Sequence, residues 1–305
     1  MGVIFLGTPA AAVPSLCALA EVEDIDLVIT QPDRPMKRSS AAVPSPVKVA
    51  ATQFGFPIQQ PETATELAAL LKKSDSIMGL VVAFGRILTA EMLATPPMGF
   101  VNVHFSLLPR WRGAAPVERA IAAGDETTGV TLMKIDEGLD TGPVIAERAT
   151  DISAVDTGGS LTARLSHIGA SLVDNAIPDY LNGRRIPVPQ ITTGATHAAR
   201  LTKNEAKLSV TTPAANAERM VRAFSPRPGA WVETDVGNIR IHAATWIETS
   251  DNMPGEIGMV DGFPVLGLMD GGLRLVTVQP AGKSRMPAEA WMRGRQGRSI
   301  RLIQP

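Results

Sequence analysis

A chain of 305 residues, 45% hydrophobic and 19% charged, is long enough to bury two cores and predicts two domains rather than one. Its formal net charge of -1 is unevenly spread: the stretch from Lys207 onward holds 12 of the 29 basic residues but only 9 of the 30 acidic ones. No apolar run reaches membrane-span length, the single cysteine Cys17 excludes an internal disulfide or a cysteine zinc site, and a strand-like VIFLG from Val3 leaves no space for a targeting segment, so a cytoplasmic protein is expected.

VIFLG at Val3 to Gly7 reads as a buried strand, followed by a turn at Gly7, Thr8 and Pro9 and a helix that turns Leu16, Leu19 and Ala20 inward. Cys17 in that helix reads as a core thiol, not a nucleophile. The turn carries neither GxGxxG nor GxxxxGK[ST], so nicotinamide and P-loop nucleotide readings lose support. Apolar strands at 24–30 and 77–85, separated by helical stretches, predict an α/β fold: an N-terminal Rossmann-like, mostly parallel sheet with helices on both faces. Between the second strand and a helix at Val47 to Phe54 lies QPDRPMKRSSAAVPSPVKV, whose Pro32, Pro35, Pro44 and Pro46 exclude regular structure. With Arg34, Lys37 and Arg38 it is either a basic loop that reaches a phosphate backbone or a mere insertion.

The chemically capable residues gather in GFVNVHFSLLPRWRGAAPVERAI from Gly99 and DEGLDTGPVI from Asp136. Alternation predicts a strand that turns Val101, Val103 and Phe105 to one face and Asn102 and His104 to the other. Pro109, Gly113 and Pro116 make Ser106 to Ala115 a loop, with a helix over Val117 to Ala123. Asp140 sits in a turn from Gly138 to Gly142 that could bring its carboxylate beside the imidazole. An amide donor, an imidazole and a carboxylate suit attack of an amine on a carbonyl. A hydrolase built on Ser106 lacks the GxSxG elbow, and a metal site from His104, Asp136, Glu137 and Asp140 lacks HExxH or two-histidine spacing, so no metal is expected. On spacing alone, a purely structural Asn–His pair stays open.

Strands at 129–136 and 144–152 and a helix at 161–181 complete the first domain, with His167 on that helix read as a surface or core histidine. The expected boundaries are 1–186 for this domain, 187–206 for a proline-containing linker and 207–305 for a second domain. After a helix at 214–224 come short strands with turns such as Val236-Gly237-Asn238 and Asp270-Gly271-Gly272, which predict a small OB-like β-barrel with Trp231, Trp246 and Trp291 in its core. The last 23 residues carry Lys283, Arg285, Arg293, Arg295, Arg298 and Arg301 against Glu289 alone, either a patch for a polyanion or a solvated tail.

VNVHFSLLPRWRGAAP followed by ETTGVTLMKIDEGLDTGPVI closely resembles the formyltransferases that use 10-formyltetrahydrofolate. GTP at Gly7 to Pro9, PDRP ending at Pro35, PSPVK at Pro44 to Lys48, GAAP at Gly113 to Pro116, VRAFSPRPGAW and VQPAGKSRM extend the resemblance over essentially the whole chain, toward the branch acting on methionyl-tRNA. The resemblance implies that Asn102 and His104 hold the formyl oxygen while the methionyl α-amine attacks, and that Asp140 orients His104 and pairs with its imidazolium form. It implies a folate site lined by Ser106, Leu107, Leu108 and Pro109 with Arg86, Ile87 and Leu88. It implies tRNA contacts from Lys37, Arg38, Lys203, Lys207, Lys283 and Arg285. The implied donor is 10-formyltetrahydrofolate with no metal, and the implied partner is initiator methionyl-tRNA, met by a monomer away from membranes. Two positions depart from the family pattern: Lys37-Arg38-Ser39-Ser40-Ala41 stands where a Gly-Arg-Gly-Lys-Lys run is frequent, and Ala11 where Phe is.

Overall fold

The uniformly apolar VIFLG at Val3–Gly7 forms β1, and all five residues are buried, as befits a strand covered on both faces. With Ile25–Ile29 (β2), Ile58–Gln59 (β3), Met78–Val82 (β4), Phe100–His104 (β5), Thr127–Lys134 (β6) and Val144–Asp151 (β7), it builds a sheet in the order β7-β6-β5-β4-β1-β2-β3. From β3 to β5 the neighbours run parallel, whereas β6 is antiparallel to both β5 and β7. The mostly parallel sheet is therefore present, with an antiparallel edge. The nine residues between β6 and β7 are too few for a parallel crossover, which needs a dozen or more.

The computed structural model describes residues 2–35 and 42–303, so Lys37 and Arg38 lie outside the described residues. The chain divides into two units: Met1–Gly113, Thr127–Asp151 and Thr162–Ala198 in the first, Ala114–Glu126, Ile152–Leu161 and Ala199–Pro305 in the second. Helices Val13–Val22 (α1), Pro46–Phe54 (α2), Ala64–Lys72 (α3), Ala90–Leu93 (α4), Pro116–Ala123 (α5) and Gly158–Leu181 (α6) follow the strands. Helix α2 starts where Ser45 accepts from Lys48 N at 3.0 Å with Pro46 in the first turn, and stops at Gly55, whose φ of 75° only glycine adopts without cost. On one face of the sheet Ile4, Leu6, Ile29 and Val81 pack with Leu67 and Leu71 of α3 and Met92 of α4. On the other, Gly169 of α6 lies so close to β5 that an added Cβ would stand 2.8 Å from Val103 Cγ1. Helices thus cover both faces. The chain moves outward from β1 to β2 and β3 and then returns to the opposite side for β4 and β5, which opens a crevice at the carboxyl ends of β1 and β4.

In the second unit, Ala214–Ala223 (α7) and Ala288–Arg293 (α8) pack with Trp231–Thr234 (β8), Gly237–Ile247 (β9), Glu256–Val260 (β10), Phe263–Leu268 (β11), Gly271–Pro280 (β12) and Ile300–Arg301 (β13). These strands form an antiparallel sheet in the order β8-β9-β12-β11-β10-β13. An antiparallel bridge from Leu302 to Thr234 of β8 brings the two edges together, so the sheet is nearly a closed barrel, as the strand lengths predict. Trp291 is in the core at 6% exposure, but Trp246 is 46% exposed, against expectation. The register of β9 shifts at Ile241/Ala243 and again at Ala243/Ala244, and these irregularities interrupt the in–out alternation ahead of Trp246. His167 is exposed on α6, and burial raises the Cys17 thiol above its ordinary pKa, which suits a packing role better than a nucleophilic one.

Candidate functional site

Strand β5 lies between parallel β4 and antiparallel β6, which fixes the direction of every side chain along it. Asn102 is half-buried and His104 only 5% exposed. Beyond β5, the chain folds back on itself: Ser106 Oγ donates to the Arg110 carbonyl at 2.7 Å, and Thr131 Oγ1 of β6 donates to the Ser106 carbonyl at 2.7 Å while accepting from Leu108 N at 3.2 Å. The Ser106 hydroxyl is fully buried and used inside its loop, so nothing presents it as a nucleophile. This folding brings the Trp111 carbonyl to 2.9 Å from His104 Nε2; since a carbonyl can only accept, Nε2–H donates. Trp111 adopts φ 65°, unusual for a bulky residue and of order 1–2 kcal/mol in cost.

Asp140 joins this cluster from the turn after β6. Its φ of 52° is the left-handed conformation that aspartate and asparagine tolerate better than most residues. Oδ2 accepts from Gly113 N at 2.8 Å and lies 3.7 Å from His104 Nδ1, while Oδ1 accepts a long bond of 3.5 Å from Asn102 Nδ2. His104 Nε2–H thus bonds the Trp111 carbonyl, while the Asp140 carboxylate faces Nδ1 at 3.7 Å, beyond hydrogen-bond distance. Asp136 sits apart: its Oδ1 is taken within its own turn by Gly138 N and Thr141 Oγ1 at 3.1 and 2.7 Å.

Three expected site residues come together as read, Asn102, His104 and Asp140. Arg86, Ile87 and Leu88 lie in the loop that follows β4, and Ser106 to Pro109 in the loop that follows its parallel neighbour β5. Arg86 donates to Gln31 Oε1 at 3.2 Å and to the Glu62 carbonyl at 2.9 Å, whereas Ile87 is 90% exposed in the loop after β4. In the same crevice Thr8, Pro9, Gln31, Ala83, Phe84 and Gly85 help to line a cavity of about 390 Å³. The ends of the basic loop are braced by Lys48, which donates to Asp33 Oδ2 at 2.6 Å and to Gln60 Oε1 at 2.7 Å; its bond and one from Gln60 hold the Asp33 carboxyl below the usual carboxylate range. In the second unit Lys203, Lys283 and Arg285 are exposed, while Lys207 already donates to Glu233 Oε2 at 2.6 Å and lies over the Trp231 ring.

Sequence reading gave no role to Gln190 or Thr196, which lie in the stretch expected to be linker. Gln190 Nε2 donates to the carbonyls of Asp140 and Gly142 at 2.9 and 2.7 Å, and its Oε1 accepts the Arg112 fork at 2.6 and 3.1 Å. Thr196 Oγ1 accepts from Trp111 N at 2.9 Å, and His197–Ala198 pairs with Arg112–Gly113. One amide thus ties the Asp140 turn to the loop that caps His104. Gln190→Ala is expected to lower kcat about 10-fold to 100-fold, since small misplacements of catalytic groups cost that much. Steady-state kinetics checks this, and an unchanged kcat would show the turn holds itself.

The model of the formyl transferase family matches residues 1–177, and that of the formyl transferase C-terminal domain matches residues 200–296. The methionyl-tRNA formyltransferase of Halorhodospira halophila is 44% identical over 298 residues, 96% of this chain and 96% of the relative. That of Xylella fastidiosa is 41% identical over 307 residues, 99% of this chain and 100% of the relative. Among solved structures, an N-formyltransferase from Helicobacter canadensis in complex with folinic acid and dTDP-3-aminofucose has a TM-score of 0.66 at 19% identity, covering 90% of this chain and 98% of that one. Methionyl-tRNA formyltransferase from Clostridium thermocellum gives 0.55 at 17% identity, covering 80% and 93%, and at such identities the likeness speaks for the fold alone. With its first 177 residues matched by one model, residues 200–296 by the other, and relatives similar from end to end, the chain belongs to the formyl transferase family.

Proposed function

We propose that the protein is an enzyme that transfers the formyl group of 10-formyltetrahydrofolate to the α-amine of initiator methionyl-tRNA. The observation that carries this reading is the Asp140 carboxylate set between Asn102 and His104 at the end of β5, in a chain similar over its full length to methionyl-tRNA formyltransferases. The neutral amine attacks the formyl carbon, the C–N10 bond breaks, and the proton lost by the amine ends on N10. As negative charge grows on the formyl oxygen, Asn102 Nδ2–H and His104 Nε2–H donate to it. To do so, His104 exchanges the Trp111 carbonyl for the formyl oxygen. Asp140 meets Nδ1–H and offsets the positive charge on the ring. Donors and counter-charge all come from side chains, and the proposed reaction uses no metal.

The residues present fit the donor. Exposed Ile87, with Leu88 beside it, offers aliphatic surface in the loop after β4, and in the Ser106 to Pro109 loop after β5 the partly exposed Leu107 and Pro109 offer an apolar wall. The methionyl ester occupies the crevice cavity beside them. We read residues 1–186 as the catalytic domain, 187–206 as the connection whose first half braces the site, and 207–305 as the tRNA-binding domain. Lys37 and Arg38 enter the acceptor end, and Lys203, Lys283 and Arg285 hold the stem. Lys207 contributes less to tRNA binding, because Glu233 already compensates its charge. Among the described residues no helix is long and apolar enough to cross a membrane. The proposed working form is a cytoplasmic monomer.

The test offers 10-formyltetrahydrofolate with methionyl-tRNA, uncharged tRNA, free methionine or an amino-sugar nucleotide. Formyl incorporation with methionyl-tRNA alone is expected; transfer to the amino sugar instead would keep the chemistry and remove the tRNA. Affinity for tRNA is also expected to fall as salt rises, because binding releases counterions from the phosphates. A flat response from 50 to about 200 mM salt would remove the cationic contacts from the reading.

A further inference from the structure

We propose that the barrel carries a pocket for a single unpaired nucleotide of the RNA substrate next to the stem, with Trp231 stacking on the base, Arg240 and Lys203 meeting the phosphate, and Asn204, Asn238 and Gln279 facing the base edges. Naming RNA as the source rests on the function proposed above; the pocket itself rests on its lining. Those six side chains border a cavity of about 430 Å³, within the range of small-ligand sites, and none of its lining residues is acidic. An aromatic face, cations and amides that both donate and accept are what one nucleotide requires: stacking, charge neutralisation and edge recognition.

The cations are unspent. Among the described residues no carboxylate is paired with Lys203, Arg240, Lys283 or Arg285. Lys283 and Arg285 continue the positive charge along the 280–286 segment, directly after the lining residues Pro280, Ala281 and Gly282. The field reaches inward to His242, which is held below its ordinary pKa by burial first and then by Arg285 and Arg240, while its Nε2 bonds Gln279 Oε1 at 3.1 Å. Arg240 also runs across the backbone of Gly229, where a Cβ would stand 2.9 Å from its Cδ, so glycine makes room for that stem. A neighbouring cavity of about 470 Å³ makes the contrast: it is bordered by Lys207 and Glu233, already paired to each other, and offers an anion no net charge.

The experiment titrates the full-length protein with a nucleoside monophosphate, with inorganic phosphate and with methionyl-tRNA. Indole fluorescence and calorimetry are read for wild type, Arg240→Ala, Gln279→Ala and Trp231→Phe. Trp231 donates its indole N–H to the Lys203 carbonyl at 2.9 Å and stands in β8, so the exposed Arg240 and the half-buried Gln279 keep the test open if the tryptophan variant folds poorly. Expected are binding of the nucleoside monophosphate with a fluorescence change, weaker binding of phosphate, and a loss of tRNA affinity of about 10-fold in Arg240→Ala. Equal binding of phosphate and nucleotide without a fluorescence change would overturn the base contact. Nucleotide binding by the pocket with tRNA affinity unchanged in every variant would overturn RNA as its source. If wild type forms N-formylmethionyl-tRNA yet binds no nucleotide, the pocket fails and the proposed function stands; if it binds nucleotide but forms no product, the pocket stands and that function fails.

Discussion

Asp140→Asn is expected to lower kcat for formyl transfer by about 10² to 10⁴ while the melting temperature stays at the wild-type value. The substitution is nearly isosteric, and asparagine accepts the left-handed φ of 52° that this turn imposes. What changes is charge and donor count. The carboxylate accepts from Gly113 N on one oxygen and from Asn102 Nδ2 on the other, and it faces His104 Nδ1. A carboxamide keeps its one accepting oxygen for Gly113 N and turns its amino group to the long, weak Asn102 contact, so little stability is lost while the imidazole loses its counter-charge. Asp140→Ala would be a poorer test, because alanine at that φ adds backbone strain. Formylation rates and a thermal melt on the same preparation check the expectation; turnover within threefold of wild type would remove Asp140 from the chemistry.

Gly142→Ala is expected to act through stability. A Cβ at Gly142 would run into the carbonyl of Lys134, the last residue of β6, and stand 2.9 Å from its carbonyl carbon. Both partners are backbone, so no side chain can swing aside, and the turn must part from the strand. The same turn is held through the Gly142 carbonyl by Gln190 and carries Asp140 two residues earlier. A loss of about 3 kcal/mol, the upper end of overpacking effects, is expected together with a fall in activity of at least tenfold. In a chain of this size that shifts the first unit's melting by roughly 6 to 12 °C. Differential scanning calorimetry separates the two variants: Asp140→Asn loses rate without stability, Gly142→Ala loses both. A Gly142→Ala protein that melts like wild type would mean the turn relaxes at no cost.

Much of the sheet and half of the site are written locally. Uninterrupted apolar runs mark β1 and β4, and alternation in Phe100 to Phe105 marks Asn102 and His104 as neighbours on one face. Asp140 is legible in part, because Gly138 and Gly142 bracket a turn that could bring it to the strand end. The rest is made by atoms without a sequence signature. The Trp111 carbonyl at His104 and the Gly113 N–H at Asp140 are main-chain groups that any residue type supplies. Gln190 reaches Asp140 across 50 positions from a proline-containing, weakly periodic stretch, where polarity reads as linker. The antiparallel edge of β6 and β7 escaped for a different reason: apolar runs look alike in parallel and antiparallel strands, and only the length between them decides. Trp246 failed because shifted registers within β9 cannot be seen from alternation.

The most direct measurement is a single turnover with 10-formyltetrahydrofolate labelled in the formyl carbon and enzyme in excess over methionyl-tRNA. The label is expected in N-formylmethionyl-tRNA, with one tetrahydrofolate released for each product and none when methionyl-tRNA is replaced by uncharged tRNA. Tetrahydrofolate formed at the same rate without the charged acceptor, with the label recovered as formate, would make the trio of Asn102, His104 and Asp140 a hydrolytic site and contradict direct transfer to the methionyl amine.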